Sequence, residues 1–113
     1  MTFLKSYREM RLLVYFDLPV STKLERKQAQ DFRKNLLSEG FIMMQFSCYS
    51  RFCRNDAESS KYFNRVKKLS NKLSGGEVRI LKITNKQYEN MLILVKEPKL
   101  SEIKLSKNPL VIF

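Results

Sequence analysis

Apolar and polar positions along the chain follow two periods, one typical of strands and one typical of helices. Residues 12–16 form an apolar run without a polar break, which predicts a central strand buried on both faces. This strand begins at about residue 11, and Asp17 follows its last apolar residue. Pro19 ends it, because proline has no N–H to donate to a sheet.

Two helices are predicted from capping signals and helical spacing. Thr22 and Glu25 fit a capping box, so a helix should run to about residue 39, with Gly40 as its left-handed stop. Asn55 and Glu58 give a second capping signal, before a helix to about residue 73. Spacing at three and four residues gives each helix a buried stripe: Ala29, Phe32 and Leu36 on the first, and Tyr62, Val66, Leu69 and Leu73 on the second.

Further strands are predicted on both sides of the second helix. Residues 41–53 alternate imperfectly as one long strand. After that helix, Gly75 and Gly76 turn the chain into a strand over residues 77–84. A helical turn capped by Thr84 and a fourth strand over residues 91–95 should follow.

The end of the chain divides into two parts. Residues 97–108 are polar and lysine-rich, as in a loop or linker, whereas the last four residues are apolar and have strand propensity. An apolar terminus of this kind should be docked on a protein surface. The order of elements predicts one α+β domain over residues 1–113, a ferredoxin-like sandwich with two helices on one mainly antiparallel sheet.

Charge points to a polyanionic partner. Lysine and arginine number 22 against 11 aspartates and glutamates, so the 113-residue chain carries a formal net charge of +11. Such an excess favours nucleic acid ahead of an anionic membrane. No apolar run is long enough to span a membrane and the start has no signal-peptide core, so we expect a cytoplasmic protein.

Basic residues recur at helical spacing on both predicted helices. On a helix such residues commonly do no more than keep it solvated. The second group has no acidic residue among its members, which suits phosphate contact. The candidate contacts are Lys23, Lys27 and Lys34 on the first helix, and Lys61, Arg65, Lys68 and Lys72 on the second.

Missing residue types exclude several kinds of active site. The chain has no histidine, which removes Ser-His and Cys-His nucleophiles and histidine-based acid–base catalysis. It has no glycine-rich phosphate loop. Cys48 and Cys53 would point to opposite faces of one strand, so we expect two small buried thiols and no disulfide. A carboxylate with a divalent metal, or lysine and arginine chemistry, remains open.

Asp17 is the candidate for such chemistry. A carboxylate at the end of a buried strand needs a cation, a hydrogen-bond donor or a second carboxylate that shares its site. The alternative is structural, since Asp17 could accept backbone amides in the turn that precedes the first helix.

Four short motifs occur in order between about residues 10 and 94: Tyr15-Phe16-Asp17-Leu18-Pro19, Phe32-Arg33-Lys34 with Leu36-Leu37, Ser38-Glu39-Gly40-Phe41, and Gln45-Phe46-Ser47-Cys48-Tyr49. Together they resemble the CRISPR-associated protein two family, and most closely the branch that accompanies type II systems. Members of this family are small dimeric partners of the CRISPR integrase.

The resemblance implies a homodimer in which each Asp17 faces its twin across the two-fold axis. Family members are described as Mg²⁺-dependent endonucleases, usually of RNA and sometimes of duplex DNA. One carboxylate makes a poor Mg²⁺ site, whereas two copies of Asp17 could hold the ion and activate water. In spacer acquisition the dimer lies between two integrase dimers, under the prespacer DNA.

The resemblance also implies roles for residues outside the first strand. Arg33 matches a recurrent basic position of the family, and the final strand commonly crosses to the partner's sheet. The residues implied at the dimer interface near Asp17 are Gln45, Ser47, Tyr49 and Arg51, and those of the crossing strand are Leu110, Val111, Ile112 and Phe113.

Three hypotheses follow for function. The leading one is a CRISPR adaptation protein, a dimeric scaffold that bridges integrase dimers and binds the backbone of duplex DNA. The second is a Mg²⁺-dependent endoribonuclease or DNase centred on paired Asp17. The third is a related ferredoxin-like toxin ribonuclease.

Overall fold

The computed structural model describes residues 8–95. Its elements are β1 (Met10–Asp17), α1 (Lys23–Ser38), β2 (Ile42–Gln45), β3 (Cys48–Cys53), α2 (Asp56–Ser70), β4 (Glu77–Thr84) and α3 (Asn85–Glu89). The strands form one sheet in the order β2-β3-β1-β4, and β1 is antiparallel to both neighbours. The prediction of an α+β ferredoxin-like fold is therefore confirmed. None of these helices combines the length and apolarity needed to cross a membrane.

Both capping signals are confirmed. The Thr22 hydroxyl accepts the Glu25 amide at 3.1 Å, and the Glu25 carboxylate accepts the Thr22 amide at 2.9 Å. The Asn55 side chain accepts the Glu58 amide at 2.8 Å. The helix α2 ends earlier than predicted, because its last turn tightens: Leu73 donates to the carbonyl of Ser70, three residues back, at 3.1 Å.

The single long strand predicted over residues 41–53 is wrong. The chain turns at Phe46 and Ser47, so that β2 and β3 form a hairpin with Ile42 opposite Ser50 and Gln45 opposite Cys48. Strands of this kind are usually five or six residues long, and a hairpin satisfies backbone groups that one long strand would leave unpaired. The split completes the βαββαβ order of the fold.

The strand predicted over residues 91–95 is also wrong. These residues are in no regular element, and Leu92 and Leu94 are 80% and 81% exposed. Apolar composition favours a strand only where a neighbour accepts its hydrogen bonds, and within residues 8–95 no strand pairs with this segment. The predicted linker over 97–108 and the predicted final strand over 110–113 lie outside the described residues.

The core lies between one face of the sheet and the helices α1 and α2. Leu12, Val14 and Phe16 point to this face and join the buried cluster that includes Phe32 from α1 and Val66 from α2. The rings of Phe16 and Phe32 meet edge to face, with centroids 5.2 Å apart.

The opposite face of β1 is buried only in part. It carries Leu13, which is buried, and Tyr15, which is 39% exposed. The strand is therefore buried on both faces in its middle, as predicted, and opens towards its end at Asp17.

Candidate functional site

Asp17 is exposed at the end of β1, on the sheet face opposite to α1 and α2. Gly76, in the turn before β4, passes directly behind it. A Cβ placed on Gly76 would lie 2.6 Å from the carbonyl oxygen of Asp17, and its φ is +91°. Only glycine accepts both this close approach and this backbone angle, so Gly76 helps to set the position of Asp17.

A second carboxylate stands opposite Asp17. Antiparallel pairing of β1 with β4 places Glu77 directly across from Asp17, so both side chains leave the same face of the sheet. Arg79, two residues further along β4, forms an ion pair with Glu77. The sequence reasoning missed Glu77. Glu77 directly follows Gly75-Gly76, but this position indicates a place beside Asp17 only if β4 is known to pair with β1.

An open cleft of about 290 Å³ surrounds these residues. Asp17, Glu77 and Arg79 share it with side chains of β1 and of the β2–β3 hairpin. Two residues predicted near the site therefore do lie there, Gln45 and Ser47. The full lining is Tyr15, Phe16, Asp17, Gln45, Ser47, Cys48, Glu77 and Arg79.

Tyr49 and Arg51 are not at this cleft, contrary to the expectation. Tyr49 is 2% exposed and belongs to the core. Arg51 donates from Nε to the carbonyl oxygen of Glu39 at 2.8 Å, and its guanidinium lies 3.5 Å from the ring centroid of Tyr62. The turn and the register shift in β2 interrupt the alternation that had placed these residues beside Gln45.

The cleft contains a phenol and a thiol that carry no charge near neutral pH. Burial, and next the neighbouring Cys48, raise the pKa of Tyr15. Burial raises the pKa of Cys48, so its thiol is a poor nucleophile. Both cysteines are free, as predicted, and they lie on opposite faces of β3, with Cys53 in the core.

One protomer offers an incomplete metal site. Within residues 8–95, no group of three or more His, Cys, Asp or Glu side chains could hold an ion. Asp17 and Glu77 supply two carboxylates, and Arg79 engages the second. Mg²⁺ is commonly held by one or two carboxylates together with water and substrate phosphates. The donor type therefore fits Mg²⁺, but the number of donors is small.

Each of the two basic helix surfaces has one cation in an ion pair. On α1, Lys23 and Lys34 are exposed, and Lys27 pairs with Asp31 at 3.2 Å. On α2, Arg65 pairs with Glu39 at 2.7 Å. The acid that reaches Arg65 comes from the end of α1 and not from among the basic residues of the second helix. The other members of the α2 surface, Lys61, Lys68 and Lys72, are exposed.

Arg33 lies beside the hairpin turn and not on either lysine surface. Its guanidinium carbon is 3.8 Å from the ring centroid of Phe46, and its Nε donates to the Phe46 carbonyl oxygen at 3.3 Å. The four residues predicted to cross to a partner, Leu110 to Phe113, lie outside the described residues.

These features define a small, basic ferredoxin-like protein with an acidic residue at the end of its central strand. A family model described as CRISPR associated protein Cas2 matches residues 10–91. The chain belongs to the Cas2 family, so the predicted resemblance is confirmed.

Curated relatives of the chain are named CRISPR-associated endoribonuclease Cas2. The protein from Ligilactobacillus salivarius is 45% identical over 97 residues, which cover 86% of this chain and 93% of that protein. The protein from Flavobacterium psychrophilum is 42% identical over 99 residues, covering 86% and 84%. The protein from Acidovorax ebreus is 39% identical over 104 residues, covering 92% and 100%.

Proposed function

We propose that this chain acts in CRISPR adaptation as a homodimer that bridges integrase dimers and holds duplex DNA by its backbone. The observation that carries the proposal is the sheet face opposite to α1 and α2, which ends at Asp17. Tyr15, Ile42 and Leu81 are 39%, 55% and 47% exposed on this face, although all three are largely apolar. Two copies that meet through these faces bury that surface and bring the Asp17 end of β1 in one protomer close to the same end in its partner.

A matched pair of variants tests the dimer. Leu81→Arg places a charge on the proposed interface, and Leu37→Arg places one on α1 at a similarly exposed position, 53% against 47%. We expect Leu81→Arg to sediment as a monomer and Leu37→Arg to remain a dimer. A dimeric Leu81→Arg would contradict the assignment of this face.

The adaptor role is tested with the integrase present. We expect the integrase to co-purify with the wild-type chain and spacer integration to persist in Asp17→Ala, because the scaffold needs no chemistry from this carboxylate. Loss of integration in Asp17→Ala, with dimerisation and DNA binding intact, would overturn the proposal in favour of an enzymatic role.

A second candidate function is a Mg²⁺-dependent endoribonuclease. It is favoured by the exposed position of Asp17 and by the endoribonuclease names of the curated relatives. Asp17 from each protomer would hold the ion, and Glu77 would add a carboxylate once Arg79 released it. When bound, Mg²⁺ supplies an activated water and offsets phosphate charge.

The nuclease hypothesis has its own test. Cleavage of single-stranded RNA should require Mg²⁺, stop with a chelator, and be abolished in Asp17→Asn. Binding of Mn²⁺ as a paramagnetic stand-in should weaken in the same variant. Cleavage that persists in Asp17→Asn would contradict the assignment of the reaction to Asp17.

A further inference from the structure

The turn between β2 and β3 presents an aromatic ring to solvent. Phe46 is 67% exposed. Single exposed apolar residues are common on protein surfaces and need no explanation by themselves. Phe46 differs from an ordinary surface residue because a second side chain fixes its orientation.

Arg33 from α1 holds this ring on one side. Its guanidinium lies over the ring at 3.8 Å, and its Nε is bonded to the backbone carbonyl of the same Phe46 at 3.3 Å. The guanidinium is also 5.5 Å from the ring centroid of Phe16, which is buried in the core. One ring face of Phe46 is thus covered by an anchored cation. An exposure of 67% leaves the other face open.

The same arginine keeps donors for a ligand. Within residues 8–95, Nε is the guanidinium nitrogen of Arg33 that makes a hydrogen bond, and the two terminal nitrogens make none. Arginine carries five N–H donors in a fixed planar fork that suits phosphate oxygens. A stacking surface and a set of phosphate donors are therefore presented side by side.

The turn is also tied to the Asp17 end of β1. Ser47 accepts the amide of Phe16 through its carbonyl oxygen at 3.0 Å, one residue before Asp17. Gln45 and Ser47, on either side of Phe46, both line the cleft that contains Asp17. A ligand on Phe46 therefore lies at the rim of that cleft.

We propose that Phe46 and Arg33 form a stacking platform for one unpaired nucleobase of a single-stranded segment, whose phosphate is contacted by Arg33. Every base offers a flat π face to an aromatic ring, and a cation behind the ring strengthens such a site. Bases inside a duplex are already stacked and cannot use it. The platform rests on the nucleic-acid binding proposed above, and it adds recognition of unpaired bases to contact with the backbone.

A single-tryptophan variant observes the stacking directly. The chain contains no tryptophan, so Phe46→Trp introduces one reporter at the proposed platform. We expect its fluorescence to be quenched by an eight-nucleotide oligodeoxyuridylate or oligouridylate, and far less by a blunt-ended linear duplex. Leu24→Trp, at a position on α1 that is 60% exposed, is the matched reporter and should respond weakly to all three. Comparison of the two single strands shows whether the ribose 2′-hydroxyl matters.

Affinity measurements separate this proposal from the proposed function. Phe46→Ala and Phe46→Leu should each weaken single-strand binding by about 5- to 150-fold, the range for loss of one stacked base, while binding of the blunt-ended duplex stays unchanged. Equal losses for single strand and duplex, no loss at all, or a changed oligomeric state in these variants would overturn the platform. If the wild-type chain binds no duplex, the proposed function fails instead, whatever Phe46 does.

Discussion

Gly76 is the residue on which the geometry of the Asp17 end of β1 depends most. Its φ of +91° lies in the left-handed region, and a Cβ there would be 2.6 Å from the Asp17 carbonyl oxygen. We expect Gly76→Ala to lower the free energy of unfolding by about 2 kcal/mol, as measured by urea denaturation.

Gly75 provides the control for this prediction. Its nearest neighbour on adding a Cβ would be the Pro19 side chain at 3.7 Å, an ordinary contact. Gly75→Ala should therefore change stability by about 0.5 kcal/mol or less, or stabilise slightly through the unfolded chain. Equal losses in both variants would show that the close approach behind Asp17 is not what requires glycine.

Two adjacent leucines of α1 give a second residue-scale prediction. Leu36 is fully buried in the core, and Leu37 is 53% exposed. Leu36→Ala should cost about 2–5 kcal/mol, because it leaves a cavity in the packed cluster. Leu37→Ala should stay within about 0.5 kcal/mol, since leucine and alanine are both good helix formers. Urea denaturation of the two variants measures this difference. Similar losses in the two variants would mean that the buried side of α1 has been assigned incorrectly.

Individual residues of the site could be predicted only where local pattern carries the information. Asp17 was identified because it follows an apolar run and precedes a proline. Glu77 was not, because its place beside Asp17 depends on the register between two strands that are far apart along the chain. Arg51 was misplaced for a related reason: the Glu39 carbonyl and the Tyr62 ring that hold it come from other elements.

At the scale of elements, the start of α2 depends on an ionised carboxylate. The Glu58 carboxylate accepts from Nε of Arg54 at 2.9 Å and lies 3.4 Å from a terminal nitrogen of Arg51. The hydrogen bond from Arg54 is the main cause that holds the pKa of Glu58 below its ordinary value. A lowered pKa in the folded state means that this stabilisation is present above the unfolded pKa, about 4.3, and is lost as the pH falls through the folded pKa.

The resulting prediction concerns acid stability. The free energy of unfolding of the wild-type chain should fall as the pH drops below about 4.3, and Glu58→Gln should show a shallower fall. Urea denaturation at a series of pH values on both sides of this pKa measures both curves. Parallel curves would mean that Glu58 contributes nothing to the acid sensitivity.

Helices were easier to predict than strands, for physical reasons. Thr22, Asn55 and Thr84 mark helix starts through bonds made within three residues, and the structure forms all three. The turn at Phe46 and Ser47 has no glycine, proline or asparagine to indicate it. It forms because β3 finds a partner in β1, a pairing that local sequence does not display. Residues 91–95 show the reverse, an apolar run without a partner strand within the described part of the chain.

At the scale of the whole molecule, the net charge of +11 favours contact with a polyanion such as duplex DNA. Lys68 on α2 and Lys72, two residues after the end of α2, are exposed and form no ion pair within residues 8–95, so they are candidates for the duplex contact proposed above. Lys68→Ala with Lys72→Ala should weaken duplex binding similarly across sequences. It should also reduce the slope of log K against log salt by about 2, close to 1 for each phosphate that is no longer neutralised.

The matched control removes the same charge from α1. Lys23→Ala with Lys34→Ala lowers the net charge equally but leaves the α2 surface intact. Fluorescence anisotropy across a salt series should give this variant the wild-type slope. A reduced slope here, with an unchanged slope in the α2 variant, would move the duplex contact to α1.

The position of β1 at the centre of the sheet has a consequence for synthesis. This strand is made before the other elements of the sheet, yet it pairs with β3 and β4, and Met10 at its start lies opposite Thr84 at the end of β4. At about 5–20 residues per second, the ribosome needs roughly 4–15 s to cover that interval. Throughout this time the apolar run that ends in Asp17 has no complete sheet to enter, so the nascent chain passes through an aggregation-prone stage at which a chaperone can act.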